Sequence, residues 1–323
     1  MSSREFSARH WYRLSWLSCL LAPLSLLFLF VVVLRRAAYS TGLLAQGSLP
    51  VPVLVVGNFV VGGTGKTPLV LWLVEGLRRL GWRPAIISRG YGGGSDAPRE
   101  VRPDSDPGEV GDEPLLLARR SNVPVFVGRR RLEVGRKLLA SYPDCDLLVS
   151  DDGLQHYALA RSFEIAVEDS RGYGNGLLLP AGPLRELPSR SVDAIVLNGG
   201  PDRVGVWKMD VTPAEFYALH APTQPVAADG LRFKRLHAVA GIGHPQRFFD
   251  MLHGLGLVFV SHPFPDHHVY RPEDLQFADC DAVLMTEKDA VKCSGFGRLD
   301  LYALRVEAVV DEALIHLIDS RLR

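Results

Sequence analysis

A glycine-rich loop that carries a lysine and a threonine is the part of this sequence whose residue types point most directly to chemistry. It follows a continuous apolar run, residues 51–57, and precedes a helical pattern over residues 66–80 that stops at Gly81. A buried strand, a glycine turn and a helix in this order predict a phosphate-binding P-loop. The loop consists of Val60, Val61, Gly62, Gly63, Thr64, Gly65, Lys66 and Thr67.

The ligands expected at this loop are ATP and Mg²⁺. Glycines allow backbone N–H groups to approach phosphates, Lys66 is expected to reach the β- and γ-phosphates, and the Thr67 hydroxyl is expected to bind Mg²⁺. The strict pattern requires glycine where this chain has Val60, so the loop resembles the variant Gly-Gly-x-Gly-Lys-Thr form. An ordinary glycine turn without a ligand is the alternative.

A second chemical signal is an apolar strand, residues 146–150, that leads into Asp151 and Asp152. Strands often end in aspartate for structural reasons, but beside a P-loop strand the pattern is typical of a Walker B element, which holds Mg²⁺ directly or through water. Gln155 and His156 follow closely enough to reach the same pocket. The predicted metal contacts are Thr67, Asp151, Asp152 and Gln155.

The elements that must position these residues alternate between strands and helices. Strands are expected at 84–88, 123–127, 163–167 and 194–197, with helices at 112–120 and 129–141. The pattern weakens over 211–231 and then resumes with strands at 236–242, 257–261, 282–285 and 301–306 and helices at 245–255, near 272–278 and at the terminus. The predicted fold class is α/β, with a mainly parallel sheet of the P-loop NTPase type.

Three units are expected along the chain. They are an N-terminal membrane-anchoring helix over residues 1–38, a P-loop kinase domain over 39–229, and a smaller α/β domain over 230–323 that closes the cleft. A cleft between two domains is the natural substrate site. The Gly/Asp/Pro-rich segment 90–111 is too long for a simple connection and is expected to be functional.

The N-terminal unit rests on residues 14–34, a run of 21 residues without charge that is flanked by Arg9, Arg13, Arg35 and Arg36. Such a run just crosses a hydrocarbon core of roughly 30 Å. A cleaved signal peptide is disfavoured because the run is long and export would remove the loop from cytosolic ATP. A buried helix of a soluble domain is the other alternative. Whether an anchor spans or lies flat stays open.

The overall charge argues against one class of function. The chain has 36 basic and 36 acidic residues, whereas a general nucleic-acid binder carries a net basic surface. The four cysteines lack metal-site spacing and are expected to be reduced thiols.

The P-loop and the acidic strand end belong to a set of motifs that closely resembles the tetraacyldisaccharide 4′-kinase family. The set covers nearly the whole chain in the same order, including the hydrophobic N-terminus. Besides Gly57-Asn58 and the loop through Pro68, it comprises Ser88-Arg89-Gly90-Tyr91-Gly92, Gly111-Asp112-Glu113-Pro114, Asp151-Asp152-Gly153-Leu154-Gln155-His156, Leu179-Pro180-Ala181-Gly182-Pro183-Leu184-Arg185-Glu186, Phe264-Pro265-Asp266-His267-His268 and Thr286-Glu287-Lys288-Asp289-Ala290-Val291-Lys292.

The resemblance implies ATP-dependent phosphorylation of the 4′-hydroxyl of a tetraacylated glucosamine disaccharide 1-phosphate, a late step of lipid A biosynthesis in Gram-negative bacteria. The expected location is the cytoplasmic face of the inner membrane, because the substrate's acyl chains lie in the bilayer. The expected partners are the lipid disaccharide and the membrane surface, with no nucleic acid.

The resemblance also implies residue roles. Asp112 is expected to act as general base, with Glu113 beside it near Mg²⁺ and with His267 as its partner from the other domain. Arg89 and Arg185 are expected to clamp the sugar phosphate.

Structural rather than catalytic roles stay open as alternatives for these residues. Asp112 also suits a helix N-cap, the two arginines also suit structural ion pairs, and His267 also suits a surface loop or a metal cluster with His262 and His268. The motif that begins at Thr286 receives no role from the sequence.

A membrane-associated regulatory ATPase of the variant-loop class is the alternative function. That class has a lysine just before the two glycines, where this chain has Val61, and its membrane element is commonly amphipathic. The hydrophobic run here is apolar all round, so both observations favour the kinase. A purely structural membrane protein would not need the loop.

Deletion of the residues before Tyr39 tests the anchor. The truncated protein is expected to move from the membrane fraction to the soluble fraction, because the uncharged run is gone, and to bind ATP as before. Fractionation after a salt wash measures the shift, and a truncated protein that stays with the membrane would show that a second membrane-binding surface exists.

Overall fold

The structure is a computed structural model and describes residues 10–90, 97–232, 234–298 and 300–323. Its helices are α1 (Trp16–Ser40), α2 (Lys66–Arg79), α3 (Pro107–Val110), α4 (Asp112–Ser121), α5 (Arg131–Ser141), α6 (Pro245–Gly254), α7 (Glu287–Cys293) and α8 (Ala313–Leu322). Short 3₁₀ helices span Ala228–Leu231 and Pro272–Leu275.

The strands of the described residues form one continuous sheet. They are β1 (Val53–Gly57), β2 (Pro84–Ser88), β3 (Arg99–Val101), β4 (Val125–Val127), β5 (Leu147–Asp151), β6 (Phe163–Asp169), β7 (Ala194–Asn198), β8 (Trp207–Ala218), β9 (Ala221–Val226), β10 (Leu236–Ala240), β11 (Phe259–Pro263), β12 (Ala282–Thr286) and β13 (Leu301–Val310). The spatial order is β11-β10-β12-β13-β8-β7-β6-β1-β5-β2-β4-β3, with β9 paired to β8.

Most neighbouring strands run parallel, which confirms the predicted fold class. The antiparallel pairs are β3 with β4, β8 with β9, and β8 with β13. The pair of β8 and β13 joins a half built around β1 to a half built around β10 and β12. Both halves direct the carboxyl ends of parallel strands towards the P-loop, the position where open α/β sheets bind their ligands.

The centre of the first half explains how the two chemical motifs meet. Strand β1 lies between β5 and β6, and all of its residues are buried. The P-loop follows β1 and the two aspartates end β5, so a parallel register brings Val56 opposite Asp151. Motifs that are about 90 residues apart in the sequence therefore lie at one edge of the sheet.

The two halves share part of their hydrophobic core. The end of β13 and helix α8 contribute Ala308, Val310, Leu314, Ile315 and Ile318 to the cluster that covers α2. The C-terminal elements thus pack on the P-loop half, while β10 to β12 pack around separate clusters with α6 and α7. A domain division at about residue 230 stays a prediction.

Several element predictions need correction. Two paired strands, β8 and β9, occupy the segment in which the sequence pattern weakens. The predicted helix near 272–278 is a single 3₁₀ turn, and α7, directly after β12, was not predicted. The start of β8 does alternate between apolar and polar residues, but the strand was not predicted because it includes Pro213, a residue that seldom lies in strand interiors.

Helix α1 presents its apolar side chains outwards. Ser25 is buried; its Oγ donates to the carbonyl oxygen of Leu178 at 2.7 Å and accepts from the Ala181 N–H at 3.0 Å. The exposed side chains include Leu20, Leu24, Leu26, Leu27, Phe30, Val31, Val33 and Leu34. Within the described residues, α1 is the one helix whose length and composition would allow it to cross a membrane.

Candidate functional site

The P-loop is an open turn that leads into α2. Gly62 and Gly65 have φ angles of 105° and 89°, which side chains seldom tolerate. Gly65 occupies the N-cap position of α2, and no side chain caps the helix there. The free backbone N–H groups and the positive end of the helix dipole therefore face the loop, as an anion-binding site requires.

Side chains from neighbouring strand ends hold the loop in this shape. Asn58 donates to the carbonyl oxygen of Gly62 at 3.1 Å, and Asn198 donates to that of Thr64 at 2.9 Å. Arg171 donates to the carbonyl oxygen of Gly63 at 2.6 Å. These contacts satisfy the carbonyl groups of Gly62, Gly63 and Thr64; the Val61 N–H donates to the Pro183 carbonyl oxygen at 2.9 Å, and the N–H groups further along the loop face the ligand site.

Lys66 and Arg185 lie on either side of Asp152. The Lys66 Nζ atom is 3.4 Å from Asp152 Oδ1, and Arg185 Nη1 contacts both carboxylate oxygens at 3.0 and 3.1 Å. Burial would raise the pKa of Asp152, but the two cations outweigh it and lower that pKa. Asp152 is therefore a fixed anion that orients Lys66, and its left-handed φ of 48° is typical of strain at a functional site.

Asp151 has the opposite environment. Burial, together with the charge of Glu113, raises its pKa to about 7. Ser88 donates to its Oδ2 atom at 3.1 Å, while its Oδ1 atom is buried and lacks a partner among the described residues. A buried carboxylate oxygen without a partner requires a cation or a water molecule.

The surrounding donors fit Mg²⁺. No group of three or more His, Cys, Asp or Glu side chains in the described part of the chain forms a closed metal cage. Mg²⁺ in kinases instead uses one or two carboxylates together with substrate phosphates and water. Thr67 and Glu113 are half-buried and line the cavity beside the loop, and Asp151 lies close enough to Glu113 for the two charges to interact. These three residues supply that open donor set.

Gln155 and Arg89 occupy different surroundings. Gln155 donates to the Asn58 carbonyl oxygen at 3.0 Å and to Glu186 Oε1 at 2.9 Å, so its amide group is part of the scaffold under the loop. Arg89 lies exposed at the end of β2, just before the residues 91–96 that lie outside the described part of the chain. Tyr91 and Gly92 of the sequence motif belong to that segment.

Asp112 and His267 meet across the two halves of the sheet. His267 Nδ1 and Asp112 Oδ2 are 3.0 Å apart, and Asp112 Oδ1 accepts the Glu113 N–H at 2.9 Å. Asp112 is the first residue of α4, after Gly111, rather than its N-cap. His267 has a φ of 59°, a conformation that few residues other than glycine adopt.

The electrostatics of the pair are reciprocal. The hydrogen bond to Asp112 raises the pKa of His267, although burial and the charge of Lys288 oppose the shift. Burial would raise the pKa of Asp112, but the bond to His267 and the charge of Lys288 outweigh it and lower that pKa. Asp112 is therefore an anion with both oxygens occupied, and His267 is the member whose protonation can change near neutral pH.

The structure adds two residues that sequence reasoning missed. Lys288 of α7 reaches the Asp112–His267 pair from the second half; its motif was visible in the sequence, but its target was not. Arg131 is 2% exposed; in the described chain it donates to the Gly128 carbonyl oxygen at 2.8 Å, and its Nε atom is buried without a partner. Nothing in the sequence indicated that an arginine at the start of a helix would be buried.

Arg131 is the centre of a basic region behind the Walker B aspartates. Its burial lowers its pKa to about 10. Burial and the positive charges of Arg131, Arg161, Arg35 and Arg89 lower the pKa of His156 to about 4, so this imidazole is neutral. A buried guanidinium without a carboxylate partner is costly unless an anion can approach it.

A cavity of about 240 Å³ lies between the P-loop and the second half. Gly63 to Pro68 and Glu113 line one side, and Ile242, Phe248 and Met251 line another. Its walls therefore combine phosphate-binding backbone groups with apolar side chains, as a nucleotide requires. Together with the loop and the acidic strand end, this cavity defines a P-loop nucleotide-binding protein.

The comparisons identify the family. The model of the family described as tetraacyldisaccharide-1-P 4′-kinase, LpxK, matches residues 17–323. The chain is 52% identical over 317 residues to the tetraacyldisaccharide 4′-kinase of Methylobacillus flagellatus, covering 97% of this chain and 95% of that protein. It is also 52% identical over 313 residues to that of Dechloromonas aromatica, covering 94% and 92%.

A solved structure agrees with the sequence comparisons. The crystal structure titled the "apo" form of LpxK from Aquifex aeolicus in complex with ATP superposes with a TM-score of 0.81 and 30% identity, over 95% of this chain and all of that one. The chain belongs to the tetraacyldisaccharide 4′-kinase family. The family and the kinase class expected from the sequence are thereby confirmed.

Replacement of Lys66 by alanine tests the loop. Turnover is expected to fall by about 10³-fold or more while the fold stays intact, because the Lys66 charge stabilises the migrating phosphoryl group. Initial rates and a thermal melt measure the two quantities. Lys208→Ala, at a half-exposed lysine outside the cavity, is the matched control, and equal rates in the two variants would remove the P-loop from the mechanism.

Proposed function

We propose that this protein transfers the γ-phosphoryl group of ATP, with Mg²⁺, to the 4′-hydroxyl of a tetraacylated glucosamine disaccharide 1-phosphate. The observation that carries the proposal is the Asp112–His267 pair. An acid–imidazole pair beside a P-loop supplies a base for a hydroxyl nucleophile, which a protein that merely switches partners with ATP does not need. The names of the relatives support the acceptor.

We infer that His267, rather than Asp112, accepts the proton of the sugar hydroxyl. The Nε2 atom of His267, which faces the Lys288 ammonium group at 3.4 Å, belongs to a side chain that is 31% exposed, whereas the Asp112 side chain is 7% exposed. Asp112 holds the Nδ1–H group and stabilises the imidazolium that forms. This division of labour exchanges the two roles that the family pattern implied.

The remaining groups of the site stabilise the negative charge of the phosphates. Mg²⁺, when bound, would neutralise the phosphates, with Asp151, Thr67 and Glu113 as the residues that would hold it. Lys66, oriented by Asp152, faces the phosphoryl group, and the N–H groups of the loop bind phosphate oxygens. Asp152 and Gln155 hold these groups in position and are not assigned to bind phosphate or Mg²⁺ themselves.

Arg131 and Arg89 are the residues that we assign to the anionic part of the sugar substrate. Arg131 is buried without an acidic partner in the described chain, and Arg89 is exposed beside it. Arg185, in contrast, forms an ion pair with Asp152 at 3.0 Å. A phosphate at this basic region would accept charge-assisted hydrogen bonds from the two guanidinium groups, of which Arg131 already lies within the field of Asp151 and Asp152.

Helix α1 is the element that we expect to meet the bilayer, on the cytoplasmic side. It docks on the kinase body through Ser18 and Ser25 and turns its leucines outwards. Such an arrangement would be costly in water, since a large apolar patch stays exposed, but is stable against acyl chains. The anchor would therefore hold the site where a lipid substrate resides.

Incubation with γ-labelled ATP and the lipid disaccharide 1-phosphate in detergent tests the proposal. Label is expected in the lipid, and a variant with His267→Ala should transfer much less. If the label appears instead as free phosphate while the lipid stays unlabelled, the protein is an ATPase and the regulatory alternative takes the place of the kinase.

A double-mutant cycle tests whether Asp112 and His267 act as a unit. A positioned base contributes roughly 10²–10⁴-fold, so each alanine variant should lose about this much. The double variant should be scarcely slower than the worse single one. Values of kcat/KM for the four proteins measure the coupling, with ATP affinity as the control, and additive losses would show that the two residues act separately.

The pH dependence of kcat/KM in the wild type and in Asp112→Asn tests whether Asp112 raises the pKa of His267. The base must be neutral, so kcat/KM of the wild type falls as the pH drops through the raised pKa of His267. In Asp112→Asn the carboxylate that raises this pKa is gone, and the fall should occur at lower pH.

A further inference from the structure

Lys288 is the charged residue of the site whose role neither the P-loop nor the base explains. It is the second residue of α7, where a cation opposes the helix dipole. Acidic residues are favoured in a first turn, and its neighbours Glu287 and Asp289 obey that preference. Helix stability therefore gives no reason for a lysine at this position.

The Lys288 ammonium group lies within a cluster from both halves of the protein. Its Nζ atom is 2.9 Å from Glu113 Oε1, 3.4 Å from His267 Nε2, 3.5 Å from Asp266 Oδ1 and 4.0 Å from Asp112 Oδ2. Burial would lower the pKa of Lys288, but the three carboxylates outweigh it and raise that pKa. Three carboxylates within 4.0 Å of its Nζ atom make Lys288 the cation at the centre of this cluster.

The contact with His267 determines which ring nitrogen carries a proton. An ammonium group donates hydrogen bonds and accepts none, so the Nε2 atom that faces it accepts. The proton of the neutral ring then lies on Nδ1, opposite Asp112 Oδ2. This is the tautomer that a base acting through Nε2 requires.

The contact with Asp266 prevents a competing arrangement. The Asp266 Oδ2 atom is 3.9 Å from His267 Nε2, and the Asp266 Oδ1 atom is drawn to Lys288. Among the described residues, Asp266 is an anion close to Nε2, and without the lysine its carboxylate would face the ring. An imidazole between Asp112 and Asp266 would hold protons on both nitrogens, and a doubly protonated ring cannot accept the proton of a substrate.

Hydrogen bonds from both halves of the protein hold helix α7 in place and so fix the position of Lys288. Arg120 of α4 donates to Glu287 Oε1 at 2.6 Å, which ties α7 to the helix that carries Asp112. Asp289 accepts the Gly241 N–H at 3.0 Å, and the Gly241 carbonyl oxygen accepts the His267 N–H at 3.2 Å. Each neighbour of Lys288 thus connects α7 to one member of the pair.

We propose that Lys288 is a positioning residue, which holds Asp266 and Glu113 and thereby keeps a proton off the Nε2 atom of His267, whose lone pair the Lys288 ammonium group faces at 3.4 Å until the acceptor hydroxyl takes its place. This inference rests on the proposed function, because it takes His267 as the base. It gives a role to the Thr286-Glu287-Lys288-Asp289 motif, for which the sequence offered none.

Lys288→Met is the first test, measured by labelled phosphoryl transfer to the lipid. Loss of the base's competent form should lower kcat by about 10–100-fold, while KM for ATP changes less than about threefold. Lys292→Met is the matched control, since this lysine lies on the same helix in an ion pair with Asp289 at 2.7 Å. It should reduce thermal stability at least as much and kcat far less.

Two further variants separate positioning from a structural role. Asp266→Asn removes the competing carboxylate. In the Asp266→Asn background, Lys288→Met should therefore lower kcat at least about tenfold less than it does in the wild type. In a His267→Ala background, Lys288→Met should change kcat less than about threefold. If Lys288→Met does not fold, Lys288→Gln takes its place in both comparisons.

A spectroscopic measurement needs no substrate. In ¹⁵N spectra of histidine-labelled protein near neutral pH, the Nε2 atom of His267 should lose its unprotonated signal in the Lys288 variant and regain it with Asp266→Asn.

Three outcomes would overturn the inference: an unchanged kcat in Lys288→Met, a parallel loss of ATP affinity, or no recovery with Asp266→Asn. Absence of lipid phosphorylation by the wild type would instead overturn the proposed function, so the two failures are distinguishable.

Discussion

The hydrogen bond between His267 and Asp112 is the interaction on which the rest of the site depends. It joins residues that are 155 positions apart and that belong to opposite halves of the sheet. The proposed base on one half and the P-loop on the other can cooperate only if the halves keep a fixed register. The antiparallel pair of β8 and β13, and the packing of α8 on α2, provide that register with backbone hydrogen bonds and apolar contacts.

Two neighbouring buried carboxylates of the site differ because their surroundings differ. Asp151 and Asp152 are neighbours in sequence, yet one faces Ser88 and the other faces two cations, so their pKa values move in opposite directions. A fixed anion can orient Lys66, whereas an acid with a raised pKa needs a cation to become ionised. Two environments thus give two roles to one pair of residues.

The sequence predicts the local parts of this arrangement well and the long-range parts poorly. The P-loop, β5 and α4 could be predicted because each motif is continuous and its strand or helix pattern is self-contained. Lys288 and Arg131 could not be assigned, because their surroundings come from segments far away in the chain. Lys288 is 175 positions from Glu113, and no periodicity reports such a contact. Strand β8 was missed for a different reason: Pro213 interrupts an alternating pattern, and the pairing with β13 carries the strand past it.

The segment of residues 177–185 connects the outward-facing helix to the chemistry. Ser25 of α1 binds its Leu178 and Ala181 backbone groups. Its other end pairs with the start of the P-loop, since Val61 donates to the Pro183 carbonyl oxygen at 2.9 Å and Arg185 donates to that of Phe59 at 2.7 Å. The Arg185 side chain then contacts Asp152, which contacts Lys66. Because every link is a hydrogen bond with a backbone group or a partly buried ion pair, the position of α1 and the position of Lys66 are set together. A helix that rested on a lipid surface would therefore fix the height of the phosphate site above it.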